Sequence, residues 1–173
     1  MTNYKQLLAD IDTFVFDVDG VMTNGIVLLS PDGEMLRSMH VRDGYALQLA
    51  VRKGYRIIII TGGSCETVRK RFLLLGVKDI HLGVGNKLQV FDEIVETDKL
   101  DPSTMLYMGD DIPDYAVMKK VGVAACPADA AEEIKAVSAY ISSYEGGRGC
   151  VRDVIEQVMK VHGCWFDDES LSW

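Results

Sequence analysis

The chain has 173 residues, 48% of them hydrophobic and 25% charged, with a formal net charge of −8. That length suits one domain with a substantial core, so a single domain over residues 1–173 is expected. The acid excess speaks against nucleic acid as a partner, because phosphate backbones attract Lys and Arg. A small anionic substrate stays open, since local positive charge can sit in an acidic protein. MTNYKQLLADIDTF at the N-terminus has no apolar stretch behind a basic segment, and no apolar run is long enough to span a bilayer; neither a signal peptide nor a membrane is expected. Cys65, Cys126, Cys150 and Cys164 form no CxxC pair and no Cys/His ligand spacing. Reduced cytoplasmic thiols are expected, and a zinc site is not.

In chain order, Thr13 to Phe16 is a β-rich run ending in acids. Ile26 to Leu29 and Met35 to Met39 flank Pro31-Asp32-Gly33, whose fixed proline φ and permissive glycine spell a turn; together they predict a β-hairpin projecting after the first strand. Arg56 to Ile60 is a continuous β-branched run, the mark of a strand buried on both faces. Leu88, Phe91, Ile94 and Val95 fall on one helical face. Met105 to Met108 and Val123 to Cys126 are two further strand-like runs, and Val151, Val154, Ile155 and Val158 mark a last helix. Strands alternating with helices imply an α/β fold: a three-layer, Rossmann-like parallel sheet with helices on both faces.

Ligands of open parallel sheets bind at the carboxyl ends of the strands. Asp17, Asp19 and Gly20 follow the first run; Thr61, Gly62 and Gly63 follow the isoleucines; Gly109, Asp110, Asp111 and Asp114 follow Tyr107-Met108. Carboxylates gathered in one place repel one another unless a cation joins them. Oxygen ligands without a His or Cys set suit Mg²⁺, and Lys87 at the head of its helix is the candidate positive charge. A metal, a lysine and a hydroxyl beside an aspartate are the parts that phosphoryl transfer needs.

FDVDG (Phe16–Gly20), ITG (Ile60–Gly62), Lys87 and GDDIPD (Gly109–Asp114), in that order, resemble the four motifs of the haloacid dehalogenase superfamily. HVRDG (His40–Gly44), GGRG (Gly146–Gly149) and VRD (Val151–Asp153) are similar to its capless branch, which contains the 3-deoxy-D-manno-octulosonate 8-phosphate (KDO 8-phosphate) phosphatases. The resemblance implies that Asp17 attacks phosphorus to form an aspartyl phosphate and that Asp19 serves as acid and then base. It implies Mg²⁺ on the Asp17 carboxylate, the Asp19 carbonyl and Asp110, with Thr61 and Lys87 on the phosphoryl oxygens and Asp111 and Asp114 in support. It further implies a substrate-binding set of Asp19, a loop of His40, Val41, Arg42, Asp43 and Gly44, then Thr61, Gly62, Arg71 and Lys87, with Arg148 reaching a neighbour's site. Arg69 and Lys70 read as solvated charges.

About twenty residues separate Gly20 from His40, so no cap domain fits there or between Thr61 and Lys87. Capless relatives cover the site by forming tetramers. The apolar hairpin (Ile26, Val27, Leu28, Leu29, Met35, Leu36, Met39) suits such an interface. The resemblance therefore implies a cytoplasmic homotetramer acting on a phosphorylated sugar acid in lipopolysaccharide precursor synthesis. Gly63 stands where several KDO 8-phosphate phosphatases carry Arg and nine-carbon relatives tend to carry Glu, so the eight- and nine-carbon sugar acids both stay open, with Arg148 favouring the former. A catalytically silent oligomerisation module and a phosphate-accepting receiver domain are the other readings. The five intact motif residues oppose the first, and their chain order opposes the second.

Overall fold

The computed structural model describes residues 4–172. Residues 1–3 and Trp173, part of the expected single domain, lie outside the described residues. Six strands form one parallel sheet: β1 (Thr13–Phe16), β4 (Arg56–Ile60), β5 (Asp79–His81), β6 (Met105–Met108), β7 (Val123–Cys126) and β8 (Tyr140–Ile141), in the spatial order β5-β4-β1-β6-β7-β8. Strands β2 (Leu28–Leu29) and β3 (Met35–Leu36) pair antiparallel as a separate hairpin. Helices α1 (Tyr4–Leu7), α2 (Val41–Arg52), α3 (Glu66–Leu74), α4 (Lys87–Asp98), α5 (Tyr115–Met118), α6 (Glu132–Val137) and α7 (Cys150–Val161) complete the chain.

The strand sequences are apolar throughout because both faces are covered. Side chains alternate across a strand, and the two sets enter different cores. Phe14, Phe16, Ile57, Ile59, Leu106 and Met108 pack with α2, α3 and α7. Val15, Ile58, Ile60, Met105 and Tyr107 pack with α4, α5 and α6. The expected three layers are therefore present. The hairpin is present too, but only two residues of each arm pair, and Met39 turns inward against the core.

The chain enters at β1 in the middle, proceeds to β4 and β5 on one side, then returns to β6 on the other. This reversal opens a crevice beside the carboxyl ends of β1, β4 and β6, which bring Asp17, Thr61 and Asp110 together.

The C-terminal segment, unread from sequence, packs back along α2. Trp165 lies nearly buried, edge-on to Tyr45 with ring centroids 6.5 Å apart and beneath the Arg152 guanidinium at 5.1 Å. Lys53 Nζ bonds Asp167 at 2.6 Å, and the Tyr45 hydroxyl donates to the Ser170 carbonyl. Trp165→Ala should therefore lower stability by about 3 kcal/mol, seen as a shift in the urea unfolding midpoint at unchanged slope.

Candidate active site

Each polar group of the crevice is placed by a strand end or a helix start. Asp17 follows β1 directly and is buried. Thr61 follows β4, buried, and its Oγ1 accepts the Gly63 amide at 3.2 Å. Lys87 opens α4 behind Asn86, whose side chain caps the helix by accepting the Gln89 amide at 3.2 Å. With Asp19, Gly62 and Gly63 they line a cavity of about 560 Å³.

The Lys87 ammonium is the centre of the charge network. Its Nζ lies 2.8 Å from Asp17 Oδ1 and 2.7 Å from Asp114 Oδ1. Burial pulls the Lys87 pKa down, but the charges of Asp17 and Asp114 outweigh it and the net shift is upward. Asp114, buried, has all four acceptor positions used. Oδ1 also accepts the Tyr107 hydroxyl at 2.6 Å; Oδ2 accepts the Asp110 amide at 3.1 Å and the Asp111 amide at 3.4 Å. Burial, then Asp114 and Asp17, push the Tyr107 hydroxyl well above its usual pKa, so it remains a donor. Tyr107 was hidden in an apolar strand run; its hydroxyl seven residues before Asp114 was the only available sign of it.

Asp17 and Asp110 are left with excess negative charge. Burial first and Asp114 second raise the Asp17 pKa to about 6 against the lowering effect of Lys87. Burial, then Asp17 and Asp114, raise Asp110 to about 8. Oxygens of Asp17, Asp110 and Asp114 lie within 4.8 Å of one another. Because Asp114 is saturated, Asp17 and Asp110 are the carboxylates free to take a hard divalent cation, which would offset the repulsion between them. Gly20 makes room: at φ +90°, a Cβ there would sit 2.0 Å from Asp110 Oδ2.

Asp19 is held differently. Arg37, just past β3, forks its carboxylate, with Nε donating to Oδ1 at 2.7 Å and Nη2 to Oδ2 at 2.9 Å. Arg37 carries no sequence signal, being eighteen residues from its partner with no motif around it.

The remaining expected positions do not line this cavity. His40 to Gly44 is not a loop beyond the caps: α2 begins at Val41. Asp43 is buried and its Oδ1 accepts the Arg152 amide at 2.7 Å, tying α2 to the start of α7. Val41 and Arg42 are exposed on that first turn. Arg71 lies against Gly44, where a Cβ would meet its Nη2 at 2.6 Å, so helix packing rather than the cavity receives it. His40, Arg42 and exposed Arg148 share a separate cavity of about 280 Å³ with Arg152. Asp111 is exposed and caps the short 3₁₀ turn Ile112–Asp114, bonding the Ile112 amide at 2.8 Å. Arg69 is not merely solvated, since its Nη1 donates to the Ile80 carbonyl at 3.0 Å.

Acids, a buried lysine and a threonine converging on the carboxyl edge of a parallel sheet are equipped for phosphoryl transfer. No family model matches the chain. The chain is 34% identical over 154 residues to 3-deoxy-D-manno-octulosonate 8-phosphate phosphatase of Escherichia coli (strain K12), covering 89% of this chain and 82% of that protein. The phosphatase of the same name from Yersinia pestis is 33% identical over the same shares. Among solved structures, the Yersinia pestis phosphatase superposes with a TM-score of 0.89 at 32% identity, covering 92% of this chain and 86% of that one. The phosphatase from Moraxella catarrhalis, solved with magnesium ion, phosphate ion and KDO, also gives 0.89 at 32% identity, covering 93% of this chain and 92% of that one. The chain belongs to the KDO 8-phosphate phosphatase family of the haloacid dehalogenase superfamily.

The folded pKa values of Asp17 and Asp110 lie above the ordinary aspartate value, so without a cation the folded chain binds more protons than the unfolded one. Stability is then lost as pH rises through about 6 and about 8. The Tm of cation-stripped protein should fall between about pH 5 and about pH 8, and a saturating divalent cation should restore it. Asp110→Asn should flatten that dependence and remove most of the cation response in the same thermal scan.

Proposed function

We propose that this protein is a magnesium-dependent phosphatase, one domain in extent, that hydrolyses KDO 8-phosphate to KDO and inorganic phosphate. The observation that carries it is the buried Lys87 ammonium 2.8 Å from Asp17 Oδ1, at the mouth of a cavity with Thr61 and beside cation-hungry Asp110. Asp17 attacks phosphorus in line; the bond from phosphorus to the sugar oxygen breaks, and that oxygen takes a proton from Asp19. Asp19 then accepts a proton from water, whose oxygen attacks the aspartyl phosphate; phosphate departs and Asp17 is restored. Thr61 and Lys87 hold the phosphoryl oxygens, and Lys87 offsets the repulsion between carboxylate and phosphate. Asp17, Asp110 and the Asp19 carbonyl would hold Mg²⁺, which would supply further charge neutralisation.

The sugar end needs groups that one chain does not bring to the cavity. We assign them to a neighbouring copy in a homotetramer, with Arg148 and Arg42 offering guanidinium groups suited to a carboxylate. The hairpin is the contact surface in that assembly: Ile26, Leu28 and Leu29 are 67%, 65% and 74% exposed, a concentration of apolar surface that an isolated chain would leave in water. Four free cysteines fit a reducing, cytoplasmic setting.

A phosphate-release screen over KDO 8-phosphate and nine-carbon sugar-acid 9-phosphates, with and without Mg²⁺, tests the substrate. The eight-carbon ester should give the highest kcat/KM, and only with the metal; preference for a nine-carbon ester would replace it. Asp17→Asn should cut turnover by at least about 10⁴-fold while far-UV circular dichroism stays unchanged. Leu28→Glu combined with Leu29→Glu should lower the mass seen by light scattering to that of smaller species and reduce kcat/KM on the sugar-acid ester.

A further inference from the structure

Arg37 sits outside every motif, yet its guanidinium is committed to the site. The side chain is only 8% exposed, while Asp19 beside it is 33% exposed. Nε and Nη2 grip the two oxygens of Asp19, Nη1 donates to the Met35 carbonyl at 2.8 Å, and the Cys65 thiol also interacts with the guanidinium. The bond to Met35 anchors the fork to the hairpin. A planar, bidentate grip fixes the plane of a carboxylate as well as its position.

The grip also distinguishes the two oxygens of Asp19. Oδ1 accepts both Arg37 Nε and, at 3.4 Å, the Thr23 hydroxyl. Oδ2 accepts Arg37 Nη2 alone and so keeps an acceptor position free. The space beside Oδ2 is open because residue 63 is glycine. A Cβ there would lie 3.3 Å from Asp19 Oδ2, 3.2 Å from Arg37 Nη2 and 3.7 Å from Thr61 Oγ1. Asp19 Oδ2 therefore lies beside the strip of cavity wall formed by Thr61 and Gly63.

We propose that Arg37 is a positioning residue: held by the hairpin, its guanidinium fork orients the Asp19 carboxylate so that Oδ2, beside Gly63 and Thr61, is the oxygen that meets the departing sugar oxygen. The inference rests on the role given to Asp19 above and adds the device that aims it. Arg37 does not line the cavity that holds Asp17, Thr61 and Lys87, so on this inference its loss acts through Asp19.

The test exploits the leaving group. An alkyl alkoxide needs proton donation as it departs, whereas an aryl oxide with a good leaving tendency does not. Arg37→Met and Arg37→Lys are compared with wild type at saturating Mg²⁺ on a sugar-acid phosphate and on an aryl phosphate, the latter read as first-turnover release of the phenolate. Arg37→Met should lower kcat on the sugar-acid phosphate about 10²-fold with KM within about threefold, and change the aryl first turnover less than about threefold. Arg37→Lys restores the charge but not the fork, so it should recover no more than about a tenth of the lost rate. Thermal scans and light scattering on both variants should match wild type. Equal losses on the two esters, or a change confined to KM, would overturn the positioning role while leaving the phosphatase reading intact. Full recovery in Arg37→Lys would also overturn it, since charge alone would then suffice. Wild-type protein inert toward both esters would overturn the phosphatase reading, and this inference with it.

Discussion

Everything at the carboxyl edge of the sheet is organised by repulsion between buried acids. Asp17, Asp110 and Asp114 stand within 4.8 Å of one another. At that spacing, in a poorly solvated crevice, charges of one sign cannot all persist without partners. Lys87 shares its one positive charge between two of the three, bridging Asp17 and Asp114 through Nζ. Asp114 is then fully saturated by Tyr107 and two backbone amides, which makes it a rigid support rather than a reactive group. The charge left over resides on Asp17 and Asp110, and it is this residue of unpaired charge that creates the affinity for a hard cation.

The fold supplies the means to keep such a cluster together. A sheet whose strand order reverses at β1 delivers three loop starts to one crevice without any long connection. The strands themselves are apolar on both faces, so the hydrophobic cores on either side hold their ends in register and fix where the polar residues beyond them begin. Close contacts then leave little freedom. Gly20 meets Asp110, and Gly44 lets α2 approach Arg71. Polar groups inside such a layer are costly unless bonded, and the Tyr107 hydroxyl meets that demand by serving Asp114.

How far the sequence could be read follows from which interactions are local. The runs Thr13–Phe16, Arg56–Ile60, Met105–Met108 and Val123–Cys126 are strands in the structure because burial on both faces leaves a continuous apolar signature. The acids after them were legible because a strand end followed by Asp is itself a local pattern. β8 was not legible: it is two residues long, lies at the sheet edge and leaves Ile141 half exposed, so it has no periodicity to detect. The His40–Gly44 segment, a loop by resemblance, opens α2, and the role of Asp43 there is tertiary: it accepts the Arg152 amide at the start of α7. Arg37 and Tyr107 escaped for the same reason. Each acts on a carboxylate through tertiary contact, and nothing in their immediate neighbours marks them.

The pairing of acids with cations separates the two aspartates of the D-x-D segment chemically. Asp17 meets an ammonium, a compact charge on a flexible stem with three donors that can be shared with an incoming phosphoryl group. Asp19 meets a guanidinium, whose fixed fork commits both carboxylate oxygens to one plane. A nucleophile benefits from the first arrangement, because the partner that screens it must also follow the charge as it moves onto phosphorus. A proton-transfer group benefits from the second, because its task depends on aim. The cations also come from different parts of the chain, Lys87 from the rigid head of α4 and Arg37 from beside the hairpin. On the proposed roles, attack on phosphorus would rest on the sheet and its helices, and protonation of the leaving group on an appendage whose apolar residues face outward.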